Sequence, residues 1–155
     1  MNWLGALLVG GALLVLAVAI GVAWSVTSGR VRRLDPGSSP ASTEARATTD
    51  ALGISGDELG ARATLVQLST EFCSRCPGAA RQLTRIAAEY EGVRHVEVDI
   101  TNRADLADRF RVLQTPTTLI LDADGVSTAR IGGAPRSHEV REQLDRLTRS
   151  DRVPS

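Results

Sequence analysis

The chain has 155 residues, and its 18 basic side chains, all of them arginine, balance 18 acidic ones. That balance removes the basic stripe on which nucleic-acid binding depends. Two cysteines are too few for a disulfide-stapled extracellular fold, and His95 and His138 stand apart from them and from each other, which removes the ligand spacing of a zinc ribbon.

From Asn2 to Gly29 no side chain is charged, and Trp3 to Val26 is a nearly continuous run of Leu, Val, Ala, Gly, Ile and Trp. A helix needs roughly 20 apolar residues to cross the hydrocarbon core, so residues 1–29 are expected to form a single transmembrane anchor. Trp3 and Trp24 lie near its ends, where indole rings favour the interface. A cleaved signal peptide is the competing reading; the length of the run and the absence of Arg before it count against that reading. Arg30, Arg32 and Arg33 follow the run directly, so the positive-inside rule places the rest of the chain in the cytoplasm, with an extracytoplasmic domain as the alternative. The same arginines suit anionic lipid head groups. Ala17, Gly21 and Ser25 fall at small-xxx-small spacing, for which the simpler account is an alanine-rich span.

Residues 30–60 read as a polar linker. The stretch Asp35-Pro-Gly-Ser-Ser-Pro-Ala-Ser-Thr43 holds too little apolar surface to offset the entropy of ordering it, and is expected to be a flexible tether. Thr49 to Gly60 is expected to form a short helix or an edge element. Residues 61–150 suffice for one small domain, with 151–155 as a tail.

Within that domain the pattern alternates β and α. Thr64-Leu-Val-Gln-Leu-Ser69 is a short apolar strand. Cys76 to Tyr90 places Ala79, Leu83, Ile86, Ala87 and Tyr90 on one helical face, and Gly92 ends the helix. Val93 to Ile100 alternates, with Val96, Val98 and Ile100 inward, and Thr101 or Asn102 is expected to cap a helix running to about Phe110. Thr117 to Leu121 is the next strand. Asp122-Ala-Asp-Gly125 signals a hairpin, so Val126 to Ile131 should return antiparallel. Gly132 and Gly133 break the chain before a last helix marked by Val140, Leu144 and Leu147, with Ser137 as its cap and Arg141 paired to Asp145 at i, i+4.

Cys73-Ser-Arg-Cys76 lies where the first strand of this domain runs into its first helix. Thiol–disulfide exchange needs an attacking sulfur held as thiolate and a second sulfur close enough to resolve the mixed disulfide, and this spacing at a helix start supplies both. Cys73, at the exposed edge of the helix, is the expected nucleophile; Cys76, one turn in, is the expected resolving thiol. The helix N-terminus and the Arg75 cation both favour the Cys73 thiolate. Pro77 lacks an N–H, a small loss in a first helical turn. Two other readings stay open: a carrier in which the two thiolates hold a soft metal ion such as Cu(I), and a scaffold without turnover.

The β-α-β-α-β-β-α order, the C-x-x-C at the first strand-to-helix junction and Thr115-Pro116 just before the third strand together resemble the thioredoxin family, over roughly residues 61–149. The resemblance implies an α/β, thioredoxin-like fold behind one N-terminal transmembrane helix, and a thiol–disulfide oxidoreductase acting on protein thiols and disulfides. It implies no cofactor beyond the Cys73–Cys76 disulfide itself, no metal, and an external reductant. It also implies a cis peptide before Pro116, substrate backbone pairing at Thr115, and Phe72 beside the sulfurs. Three positions depart from the family pattern. Gln67 stands where the family has a buried aspartate that moves the second cysteine's proton, leaving water or another carboxylate, with Glu71 nearest in sequence, to serve. Phe72 and Ser69 replace two tryptophans, and Ser74-Arg75 replaces Gly-Pro between the cysteines. With Arg75 favouring the thiolate, the expected potential lies above about −270 mV.

Overall fold

The computed structural model describes residues 3–27, 31–33 and 48–150. The chain runs through α1 (Trp3–Thr27), β1 (Val31–Arg33), a helical turn α2 (48–52), a 3-10 turn (Gly56–Glu58), β2 (Ala63–Ser69) and α3 (Cys76–Ala88). It continues through β3 (Val93–Asp99), α4 (Ala104–Arg109), β4 (Thr117–Asp122), β5 (Ser127–Gly132) and α5 (Ser137–Ser150). From β2 onward this is the expected β-α-β-α-β-β-α order. The five strands form one sheet in the order β1-β5-β4-β2-β3. β2 runs parallel to β3 and antiparallel to β4, and the other pairs are antiparallel.

Every residue of β2 is buried. A strand with neighbours on both edges and helices over both faces must be covered all round, which is why its sequence is apolar almost without alternation. Ala63 and Leu65 face α3 and α5, packing with Leu83, Ile86, Ala129, Ile131, Val140 and Leu144. Val66 and Leu68 face the other side, against Leu52, Ile54, Ile100, Leu106 and Leu119. Leu52 and Ile54 show that part of the segment read as a linker packs into the domain. Residues 31–33, read as part of the same linker, pair with β5 instead. The tether residues 34–47, with Arg30 and the tail 151–155, lie outside the described residues.

Several local expectations change. Residue Thr101 does not cap α4, because its N–H and hydroxyl both donate to Asp99 Oδ1, at 2.8 and 2.5 Å. The cap position falls to Arg103, whose guanidinium pairs with Asp105 at 2.9 Å. Ser137 is the first residue of α5, and its hydroxyl accepts from Gln82 Nε2 at 2.9 Å. Arg141 pairs with Glu89, the cap residue just past α3, at 2.7 and 2.8 Å, rather than with Asp145, which accepts from Tyr90 instead. Tertiary partners just past the end of α3 outcompete the i, i+4 pair because they offer a two-pronged contact to the guanidinium and a phenol donor to the carboxylate. The hairpin matches its signal: Asp122 Oδ1 accepts from the N–H groups of Asp124 and Val126, and Gly125 takes φ 84°.

Helix α1 has 25 residues and no acidic or basic side chain in its end turns. Its described large apolar side chains are exposed, from 56% at Leu16 and Val22 to 74% at Trp3. Counted over the described residues, no helix is long and apolar enough to cross a membrane.

Candidate redox site

The chain leaves β2 at Ser69 and makes a turn in which the Cys73 N–H donates to the Thr70 carbonyl at 3.0 Å. α3 then starts at Cys76 itself, with Arg75 at its cap and Pro77 in its first turn. Cys76 is thus the first helical residue, where the sequence had suggested one turn in. Its N–H donates to the Cys73 carbonyl at 3.1 Å, closing the turn that brings the two sulfurs together. The two cysteines form a disulfide. Cys76 is 3% exposed, while Cys73 is partly open to solvent.

Thr115-Pro116 is a cis peptide, and Pro116 is buried. The Thr115 hydroxyl lies 3.3 Å from that of Thr70, which ties the turn before Cys73 to the segment before β4. The Pro116 carbonyl accepts from Gly133 N–H at 2.8 Å. Arg130 of β5 donates to the carbonyls of Phe110 and Arg111, holding the end of α4 against the sheet. Between that clamp and Thr115, Leu113 is 94% exposed. On the cysteine side, Phe72 is 85% exposed, so its ring faces solvent where the sequence had suggested packing beside the sulfurs. Arg75 is exposed.

Behind the disulfide, Gln67 is fully buried on β2. Its Nε2 donates to the Cys76 carbonyl at 3.2 Å and to Glu97 Oε1 at 3.0 Å. Both neighbours are acceptors, so the amide must turn its nitrogen toward them. Gln67 Oε1 is left buried without a hydrogen-bond partner among the described residues. Glu97 reaches Gln67 because the parallel register sets the two residues side by side on β2 and β3. A cleft of about 490 Å³ opens here, lined by Cys73, Cys76 and Pro77, by Ser69, Thr70 and Glu71, and by Glu97 and Asp99. Asp99 is committed to Thr101, whose hydrogen bonds hold its carboxyl below the usual carboxylate range.

The two expected sulfurs form the disulfide, the Thr115-Pro116 peptide is cis, and the Thr70–Thr115 hydroxyl pair links the segment before β4 to the turn that carries Cys73. Glu97, which lines the cleft, and the exposed Leu113 were not among the expected site residues. Alternation along β3 puts Glu97 on the α3 side, but its neighbour on β2 depends on register, which no local pattern carries. Leu113 had a weak signal, a lone large apolar residue in a polar turn. His95 stands on β3, an edge strand of the sheet, and is half-buried: its Nδ1 lies 3.0 Å from the Thr84 hydroxyl, and burial pushes its pKa down. Among the described residues no group of three or more His, Cys, Asp or Glu side chains is placed to hold a metal ion.

A disulfide at the start of a helix, with one sulfur covered and the other partly open, in a chain whose Thr115-Pro116 peptide is cis, defines a dithiol–disulfide exchange protein. Comparison with known proteins agrees. The thioredoxin family model matches residues 57–146. Thioredoxin C-2 of Corynebacterium nephridii is 33% identical over 74 residues, which cover 47% of this chain and 68% of that protein. Among solved structures, chloroplastic thioredoxin z is 24% identical with a TM-score of 0.50, covering 57% of this chain and 80% of its own. The thioredoxin of Fasciola hepatica is 25% identical with a TM-score of 0.49, covering 59% and 86%. The chain belongs to the thioredoxin family, and its disulfide-forming cysteines on that domain make it a thiol–disulfide oxidoreductase.

Proposed function

We propose that this protein is a membrane-tethered oxidoreductase that reduces protein disulfides, with Cys73 as nucleophile and Cys76 as resolving thiol. The observation that carries the assignment of roles is the difference in access: a folded substrate can reach Cys73 and not Cys76. The Cys73 thiolate attacks a substrate disulfide, forms a mixed disulfide and releases one substrate thiolate. Cys76 then attacks Cys73 Sγ, closes the internal disulfide and releases the second substrate sulfur. Substrate gains two electrons and two protons, and an external dithiol or its equivalent restores the pair. The α3 N-terminus and Arg75 favour the Cys73 thiolate.

Substrate chain lies along Thr115 and Pro116, and the exposed Phe72, next to Cys73 in the chain, and Leu113, two residues before Thr115, offer it apolar contact. Tethering rests on α1: its backbone runs over 25 residues in a stretch with no charge from Asn2 to Gly29, against roughly 20 needed for a span. Arg30, Arg32 and Arg33 favour a cytoplasmic domain.

The experiment is a redox equilibrium of the full chain in detergent against glutathione and dithiothreitol, read by mass shift after alkylation, together with insulin reduction. The expected result is a reversible two-electron couple above about −270 mV, insulin reduction that Cys73→Ser abolishes, and a mixed disulfide trapped by Cys76→Ser. A pair that never cycles, or a Cys73→Ser variant that still turns over, overturns the reading.

A further inference from the structure

We propose that Glu97 is the residue that takes the proton from Cys76, through one water in the cleft beneath the disulfide, and that Gln67 positions it. This rests on the oxidoreductase reading above and adds the proton path.

Resolution of a mixed disulfide requires Cys76 to attack as thiolate, and a covered thiol has no direct access to bulk base. A proton acceptor therefore has to stand within hydrogen-bond reach or one water away. The side chain that lies beneath Cys76 is Gln67, an amide that cannot accept a proton at neutral pH. Its Nε2 bridges the Cys76 carbonyl and the Glu97 carboxylate, at 3.2 and 3.0 Å. One amide group thereby fixes a carboxylate at the wall of the cleft that Cys76 also lines. The rival acids are placed less well. Asp99 is held by Thr101. Glu71 also lines the cleft, but among the described residues its carboxylate has no hydrogen bond to Gln67, and only its backbone N–H is held, by Thr101 at 3.0 Å. The titratable groups around Glu97 are Glu71 from the turn, Asp99 and His95 from its own strand, and the two cysteines; α3 adds Cys76 and Pro77 to the cleft and no charge.

The Cys76 S–H gives its proton to the Glu97 carboxylate, the thiolate attacks Cys73 Sγ, the Cys73–substrate S–S bond breaks, and the leaving substrate thiolate takes up the proton. The carboxylate is restored within the turnover.

The test uses the full chain, fully reduced, in detergent, mixed rapidly with Ellman's reagent. Release of the first thionitrobenzoate reports attack by Cys73, and release of the second reports resolution by Cys76. Glu97→Gln keeps an acceptor for Gln67 Nε2 and sits on an exposed position of the edge strand, so the core is untouched. It is expected to leave the first phase unchanged and slow the second by about 10-fold to 100-fold near neutral pH, toward the low end for a positioned proton acceptor. The gap should close as pH rises past about 8.5, where thiols ionise unaided. Glu97→Asp should recover most of the rate and supplies the test by itself through a shifted pH profile. Slowing that is equal at every pH means a structural role and overturns the proposal, as does a change produced by Glu71→Gln in its place. Two normal phases in Glu97→Gln sink this inference alone; absence of both phases in the unaltered chain sinks the oxidoreductase reading with it.

Discussion

The two faces of the sheet are built from the same strands and differ at one end. On the side away from α3, Val66, Leu68, Val96, Val98 and Ile100 keep the interior apolar to the ends of β2 and β3. On the α3 side the same strands begin apolar, with Ala63, Leu65 and Val93, and end polar, with Gln67, Ser69, Glu97 and Asp99. The polar end lies under Cys76. A buried amide with an unpartnered oxygen costs about 1–3 kcal/mol relative to a satisfied one, so an interior selected for stability alone would continue the apolar series. The difference between the faces marks where chemistry displaces packing.

The apolar ends should respond as ordinary core. Leu65→Ala and Leu68→Ala, both fully buried, should each lose about 2–5 kcal/mol in urea unfolding; a similar loss on the two faces is expected, and a small loss at Leu65 would break the comparison. Between the helices of the α3 face, Tyr90 donates to Asp145 Oδ1 at 2.9 Å, and burial, ahead of this hydrogen bond, raises its pKa to about 12. Tyr90→Phe should therefore lose about 1 kcal/mol, measured as a change in urea midpoint.

Extending the apolar series to Gln67→Leu should change stability by less, within about 1 kcal/mol, because the orphaned oxygen disappears with the lost hydrogen bonds. Its effect should appear in catalysis, as a slower second phase with Ellman's reagent. Full activity in this variant would mean that the polar end is incidental.

The smallest effect is expected at His95. Its pKa is depressed by burial, so the folded state favours the neutral imidazole. That stability is present above the unfolded value of about 6.5 and is lost as pH falls through the lower folded pKa. His95→Gln should flatten the decline in thermal midpoint on the acid side, and an unchanged acid limb would refute the assignment.

Much of this was legible in the chain. Residues 79, 83, 86 and 87 recur at helical spacing and all four are buried on α3. The hairpin at Asp122 to Gly125 and the position of the two cysteines follow from patterns a few residues long. Other features were not legible for a physical reason. Val31 to Arg33 form an edge strand because β5 offers an unpaired edge, and Arg141 leaves Asp145 because α3 brings Glu89 to it.

By itself the sequence determined the order of elements, the α/β class and the sulfur pair, since periodicity, turn chemistry and C-x-x-C spacing act within one or two turns of chain. The tertiary structure alone decided which carboxylate is bonded to the amide of Gln67 behind Cys76. Glu71 is nearer along the chain, but Glu97, thirty residues from Gln67, is bonded to it. Parallel register between β2 and β3 is set by burying both faces of the sheet at once, and no segment read alone contains that constraint.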